Sequence, residues 1–193
     1  MSARSLRPFR AKVAWAYRKL GELGLIAGSS GNLSLRLEET ILITPTGIPW
    51  DRLRPREVVA LDLEGRVRGF GHPSSEWRLH IAIYRARPDA RAVVHTHSPY
   101  ATALACGELS LPVLHDEGRL LFGEGTPLAR HAPPGTWELA QNAVAALGQA
   151  RAVLLSCHGV VALGRTVGEA LSLAEKIEEA AHLFLLSQGL CGW

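Results

Sequence analysis

Lysine is almost missing from this sequence. Lys12, Lys19 and Lys176 are all of it, and arginine carries the positive charge instead. Asparagine is reduced to Asn32 and Asn142. Few thermolabile amides suit a heat-adapted source, while gene base composition explains arginine over lysine equally well. The arginines are spread along the chain and paired locally with acids, as in RLRPREVVALDLEGRVR. The net charge of +3 therefore gathers into no basic face of the kind nucleic acid requires. No apolar run approaches the roughly 18 residues of a membrane span. Met1 to Ala11 carries three arginines and a proline but no hydrophobic signal core, so no secretory signal is expected. Cysteine is scarce and odd in number: Cys106, Cys157 and Cys191. That argues against a disulfide framework and for a reducing, cytoplasmic compartment.

What remains is an ordinary globular composition, 47% hydrophobic and 20% charged over 193 residues, enough for one substantial domain spanning 1–193. Pro8 to Leu23 has helical spacing, with Val13, Ala16, Tyr17 and Leu20 on one stripe and Gly24 beyond the end. Leu33, Leu35 and Leu37 then alternate with Ser34 and Arg36, which is strand spacing, and Ile41 to Thr44 makes a partner strand. VVALDLEGRVRGF reads as a hairpin turning at Glu64-Gly65. Ser75 to Arg87 reads as a helix capped by Ser74 or Ser75, followed by a strand from Ala90 to His97. SPYATALACG starts a short helix, and Leu109 to Pro134 reads as irregular. Thr136 to Leu147 is helical, and AVLLSCHGVVALG is a buried strand pair broken at His158-Gly159. Thr166 and Glu169 form a capping box for a last helix that runs to about Gln188. The irregular alternation predicts an α/β chain, with helical layers around a mixed, largely antiparallel sheet.

Polar chemistry concentrates in a few places. In VVHTHSPY, His95 and His97 stand two apart at the end of an apolar strand. Residues i and i+2 of a strand share a face, with Cβ atoms about 6.5–7 Å apart. Both imidazoles can then reach one ion at roughly 2.0–2.1 Å. His158, ending another apolar strand, is the best third ligand. Its neighbour Cys157 should point to the opposite face. Glu76 sits at a helix start that feeds into the histidine strand, where free N–H groups and positive potential suit an anion. PSSE thus joins two hydroxyls and orphan amides to a carboxylate able to bind metal or take a proton. His72, His80, His115, His131 and His182 read as structural or surface residues.

The segments GNLSLR, LITPTGIPW, PSSEWRLHIAIYRARPDARAVVHTHSPYATA and CHGVVALGRTVGEALSLAEKIEEAA resemble the class II aldolase/adducin family, in its order and spacing, from about Gly24 to Gln188. Within the family the resemblance is strongest to the aldolases of L-fuculose 1-phosphate. It implies one zinc ion per chain, bound by His95, His97 and His158. It implies that Glu76 binds the metal at rest, swings away when substrate chelates it, and acts as the general base. It implies a phosphate pocket at Gly31, Asn32, Thr46, Gly47, Ser74 and Ser75, with Ser29 nearby. It also implies a homotetramer with active sites between subunits, a small-molecule sugar phosphate as substrate, and no nucleic-acid or membrane partner. Gly31 and Gly47 suit close approach of backbone amides to an anion. A retro-aldol cleavage needs a polarised carbonyl, which a metal with an open position provides. The three lysines lie in predicted helices away from the motifs, which argues against a Schiff-base route.

Two departures bear on the reaction. Where the aldolases of this family carry a tyrosine after the residue matching His115, this chain has Asp116 and then Glu117. The family's aldolases also have a longer C-terminal tail, whereas this sequence stops at Trp193. The expected activity is cleavage of a ketose 1-phosphate to dihydroxyacetone phosphate and an aldehyde, with Glu76, Glu117 and Asp116 as proton carriers. A methylthioribulose-1-phosphate dehydratase using Glu117, or a non-catalytic adducin-like interaction module, are the alternatives.

Overall fold

The computed structural model describes residues 5–114 and 116–190. Helix α1 (Arg7–Glu22) buries Val13, Ala16, Tyr17 and Leu20, the predicted stripe, and the chain turns away at Gly24 in the left-handed region, φ 72°. Seven strands form one sheet: β1 (Asn32–Leu37), β2 (Thr40–Ile43), β3 (Val59–Asp62), β4 (Ala92–Thr96), β5 (Leu128–Ala129), β6 (Ala152–Leu155) and β7 (Gly159–Gly164). Their spatial order is β3-β2-β1-β4-β7-β6-β5. Every pairing is antiparallel except β5 with β6. The remaining helices are α2 (Trp77–Ala86), α3 (Pro99–Cys106), α4 (Asp116–Phe122), α5 (Trp137–Leu147) and α6 (Val167–Leu190).

Alternation along the strands divides the interior in two. Leu33, Leu35, Leu42, Val94, Leu154 and Val160 pack with α1, α3 and α6. Ile41, Ile43, Val93, Val153, Val161 and Leu163 pack with α2 and α5 on the other face. This is the expected layered arrangement, with helices on both faces of a mixed sheet. Among the described residues no helix is long and apolar enough to cross a membrane.

Several local expectations shift. The segment after β3 turns back through hydrogen bonds from Asp62 N to Arg66 O and Arg68 N to Ala60 O, but forms only an isolated bridge, Leu61 with Val67. Helix α2 begins at Trp77, so Glu76 and not a serine is its N-cap, and Glu76 makes no side-chain cap. The stretch read as irregular contains α4 and β5. Seven helical residues between glycines and prolines leave too short a periodic pattern to detect. Glu169 closes its capping box by accepting from Arg165 N while Thr166 Oγ1 accepts from Glu169 N.

Candidate metal centre

The centre of the sheet carries the site because its ends converge there. Strand β4 pairs with β1 on one side and β7 on the other, with Asn32 opposite His95 and His95 opposite Val161. His95 is fully buried near the end of β4, and His97 lies just past it, exposed. His158 lies in the three-residue loop between Leu155 and Gly159, not on a strand. The predicted face exclusion of Cys157 therefore has a different cause: Cys157 takes a left-handed turn conformation, φ 53°, and is exposed. Gly159 is needed where it stands, because a Cβ there would collide with the Thr96 carbonyl and crowd the His97 ring. The loop can then bring His158 against the end of β4.

Four side chains meet. The ligand atoms of Glu76, His95, His97 and His158 all lie within 4.8 Å of one another. His95 Nε2 is 3.0 Å from His97 Nε2 and 3.1 Å from Glu76 Oε2, and His158 Nε2 is 3.4 Å from Glu76 Oε1. Ligands 2.0–2.1 Å from a tetrahedral zinc ion stand about 3.3–3.4 Å apart, so these three separations suit a common ion. His95 Nδ1 donates to the Val160 carbonyl at 3.0 Å, which leaves the Nε2 lone pair facing the cluster. Two atoms in the centre, Glu76 Oε1 and His158 Nδ1, are buried without a hydrogen-bond partner. A cation near Oε1 would satisfy the carboxylate oxygen. The donor set therefore fits a divalent ion with three neutral nitrogens and one carboxylate.

The electrostatics favour bare nitrogens on two of the three rings, while on the third an ion would compete with a proton. Burial, then the charge of His95, pushes His97 and His158 down to about 4, so both rings are neutral at pH 7 and present lone pairs. Burial also opposes charge on His95, but Glu76 beside it and the Val160 carbonyl raise it above the ordinary value. Burial alone would push the Glu76 carboxyl up. The His95 charge and hydrogen bond, His158 and the Asn32 amide outweigh it and hold Glu76 well below the usual carboxylate range.

The residues of the expected phosphate pocket divide into two groups. Thr46, Gly47 and Ser75 are exposed, and the loop carrying the first two is tied to the segment before α2 by Thr46 N to His72 O and Ser74 N to Thr44 O. Gly31 has φ 67°, and a Cβ there would lie 2.8 Å from the His95 carbonyl. Asn32 and Ser74 are buried and already engaged: Asn32 Nδ2 donates to Glu76 Oε2 at 3.0 Å, and Ser74 Oγ accepts from Glu76 N at 3.3 Å. Ser29 is exposed. Asp116 opens α4 and is exposed, with Glu117 next on that helix. Among the described residues no hydrogen bond or ion pair joins Asp116 to the four-residue cluster. His115, Cys191 and the side chain of Glu117 lie outside what is described.

One residue expected to be structural or superficial belongs to a buried polar network. His80 is fully buried between Asn32 and Ser34. The available signal was periodic: Asn32 and Ser34 are polar at i and i+2 in an apolar strand, and His80 and Tyr84 are four apart on the facing helix.

Comparison with known proteins gives this site its context. The family model for the class II aldolase and adducin N-terminal domain matches residues 11–185. A 5-methylthioribulose-1-phosphate/5-deoxyribulose-1-phosphate aldolase of Rhodospirillum rubrum is 43% identical over 169 residues, covering 88% of this chain and 76% of that protein. An L-fuculose phosphate aldolase of Escherichia coli is 40% identical over 167 residues, covering 86% and 78%. A solved L-fuculose 1-phosphate aldolase structure superposes with a TM-score of 0.93 at 34% identity, covering 99% of this chain and 89% of that one.

Proposed function

This chain belongs to the class II aldolase and adducin family, and we propose that it is a zinc-dependent aldolase cleaving a ketose 1-phosphate to dihydroxyacetone phosphate and an aldehyde. The observation that carries the reading is the convergence of Glu76, His95, His97 and His158 around one point, with one carboxylate oxygen left without a hydrogen-bond partner. The two curated relatives are named for different sugars and the same bond cleavage. The shared half of those sugars is the phosphorylated three-carbon end, so that end is the part this site recognises.

A divalent ion held by these four groups supplies Lewis acidity, polarising a carbonyl and lowering the energy of charge that develops on its oxygen. The chain's own residues handle the protons and the phosphate. Cleavage breaks the C3–C4 bond. The C4 hydroxyl loses its proton, the aldehyde departs, and C3 gains a proton. Glu76 exchanges the C3 proton: it removes it from dihydroxyacetone phosphate in synthesis and returns it in cleavage. Asp116 and Glu117 exchange the proton on the aldehyde side. The exposed position of Asp116 suits delivery to a neighbouring subunit's site in a cytoplasmic homotetramer. The exposed Ser75 and Thr46, with amides near Gly31 and Gly47, take the phosphate as charge-assisted donors.

The test is to incubate the zinc-loaded protein with a panel of ketose phosphates, including L-fuculose 1-phosphate and 5-deoxyribulose 1-phosphate, and identify the products. Dihydroxyacetone phosphate is expected. Loss of water with the carbon chain intact would establish the dehydratase, and inertness toward every sugar with no bound metal would establish the interaction module.

A further inference from the structure

Behind the metal centre a line of polar side chains runs through an otherwise apolar layer. Asn32, Ser34, His80 and Tyr84 are all at most 3% exposed. Tyr84 Oη lies 2.8 Å from Ser34 Oγ, and Ser34 Oγ lies 2.7 Å from His80 Nδ1. His80 Nε2 meets Asn32 Oδ1, and Asn32 Nδ2 meets Glu76 Oε2 at 3.0 Å. We propose that His80 is a positioning residue for the Glu76 carboxylate, acting through Asn32 and oriented in turn by Ser34 and Tyr84.

The direction of every bond follows from its last member. The Glu76 carboxylate can only accept, so Asn32 must present its NH2 group to it. The Asn32 carbonyl oxygen then faces His80 and needs a donor, so the His80 ring carries its proton on Nε2. Nδ1 is left bare and accepts from the Ser34 hydroxyl. With its one proton committed, Ser34 accepts from Tyr84. The Arg91 carbonyl, 3.4 Å from the same Tyr84 hydroxyl, is the longer alternative. Burial holds the His80 pKa down to about 3, which keeps the ring in the neutral form this chain of bonds requires.

The consequence falls on Glu76. Asn32 pins Oε2, and Oε1 is the oxygen without a hydrogen-bond partner. At rest a carboxylate held by Oε2 keeps Oε1 toward the metal position, and the amide that holds it fixes where the carboxylate starts when substrate displaces it from the ion. An unsupported Asn32 amide could rotate and turn its own oxygen toward the carboxylate. The Nε2–H of His80 forbids that rotation, because it would face an NH2 group. Apolar residues of similar size would fill this layer without desolvating four polar groups, so orientation is what the network adds. The engagement of Asn32 also gives that residue a second role beside the phosphate contact expected for it.

This inference rests on Glu76 being the base of the proposed reaction, and two measurements separate its failure from that of the reaction. The first needs no turnover: nitrogen-15 NMR of the histidine rings in the intact protein at pH 7.5. His80 is expected as the neutral Nε2–H tautomer, and an Nδ1–H tautomer or a cationic ring would overturn the proposal. The second compares His80→Leu with His80→Gln, whose amide can still donate to Asn32. His80→Leu should keep one metal ion per chain and a KM within about threefold. Its kcat should fall ~10–100-fold, part of the usual contribution of a well-placed base. His80→Gln should recover most of that loss. Unchanged kcat in His80→Leu, or equal losses in both variants, would reject the positioning role. If no sugar phosphate is cleaved by the wild type, the tautomer still decides the geometry.

Discussion

Against α1, α3 and α6 the sheet presents Leu33, Leu35, Leu42, Val94 and Val160, and the helices answer with Val13, Leu20, Leu104, Ala174 and Ile177. Against α2, strand β1 instead presents Asn32 and Ser34, and the helix answers with His80 and Tyr84. The two faces belong to the same strands and are equally buried, yet they do different work. The first is held by contacts that carry no direction. The second contains hydrogen bonds that each fix the next, and the series ends on a metal-site carboxylate. Damage to the first face should therefore appear as lost stability with normal chemistry, and damage to the polar line within the second as lost chemistry with tolerable stability.

The largest effect expected on the apolar face comes from Ile177→Ala. Deleting a fully buried isoleucine should remove about 2–5 kcal/mol of stability, read by denaturant unfolding, while kcat stays within about twofold of wild type. A kcat that falls with the stability would show that the two faces are not separable. On the polar face, Glu76→Gln keeps the size and one possible oxygen ligand but removes the basic site. Turnover should drop at least ~100-fold, with the metal retained by the three histidines in elemental analysis. Near-normal turnover in that variant would remove Glu76 from the mechanism.

A smaller effect belongs at the open rim. Ser75→Ala should raise KM for a phosphorylated substrate ~10-fold, the scale of one charge-assisted hydrogen bond of ~1.5 kcal/mol. Equal processing of the unphosphorylated sugar by the wild type would show that the rim does not read phosphate. The finest comparison uses pH. His80 is neutral when folded down to about pH 3, whereas an unfolded histidine takes a proton near 6.5. Between those values the unfolded chain binds the extra proton, so His80 makes stability fall as pH falls. Between pH 6 and 5 the chelated wild type should lose on the order of 1 kcal/mol more than chelated His80→Gln. Parallel pH profiles would mean that His80 is protonated in the fold.

The sequence made the apolar face easier to read than the polar one. The stripe of α1 and the alternation of Leu33, Leu35 and Leu37 are periodic, and periodicity survives without any knowledge of neighbours. His95 and His97 were legible as a pair for the same reason. His158 lies beside them, but a loop and not the expected strand end carries it. Helix α4 escaped because its seven residues lie among glycine and proline signals. The link from Asn32 to Glu76 spans 44 positions in sequence and depends on how β1, β4 and α2 dock. Spacing could mark Asn32, Ser34, His80 and Tyr84 as polar intrusions into apolar elements. It could not show that they touch.

The most direct test of the metal-centred account is to strip the protein with chelator, measure its metal content, and titrate zinc back while following release of dihydroxyacetone phosphate. Activity should vanish with the metal and return in proportion to zinc up to one ion per chain, and His95→Ala should neither bind the ion tightly nor recover. Full turnover in metal-free protein, or undiminished stoichiometry in His95→Ala, would contradict the account.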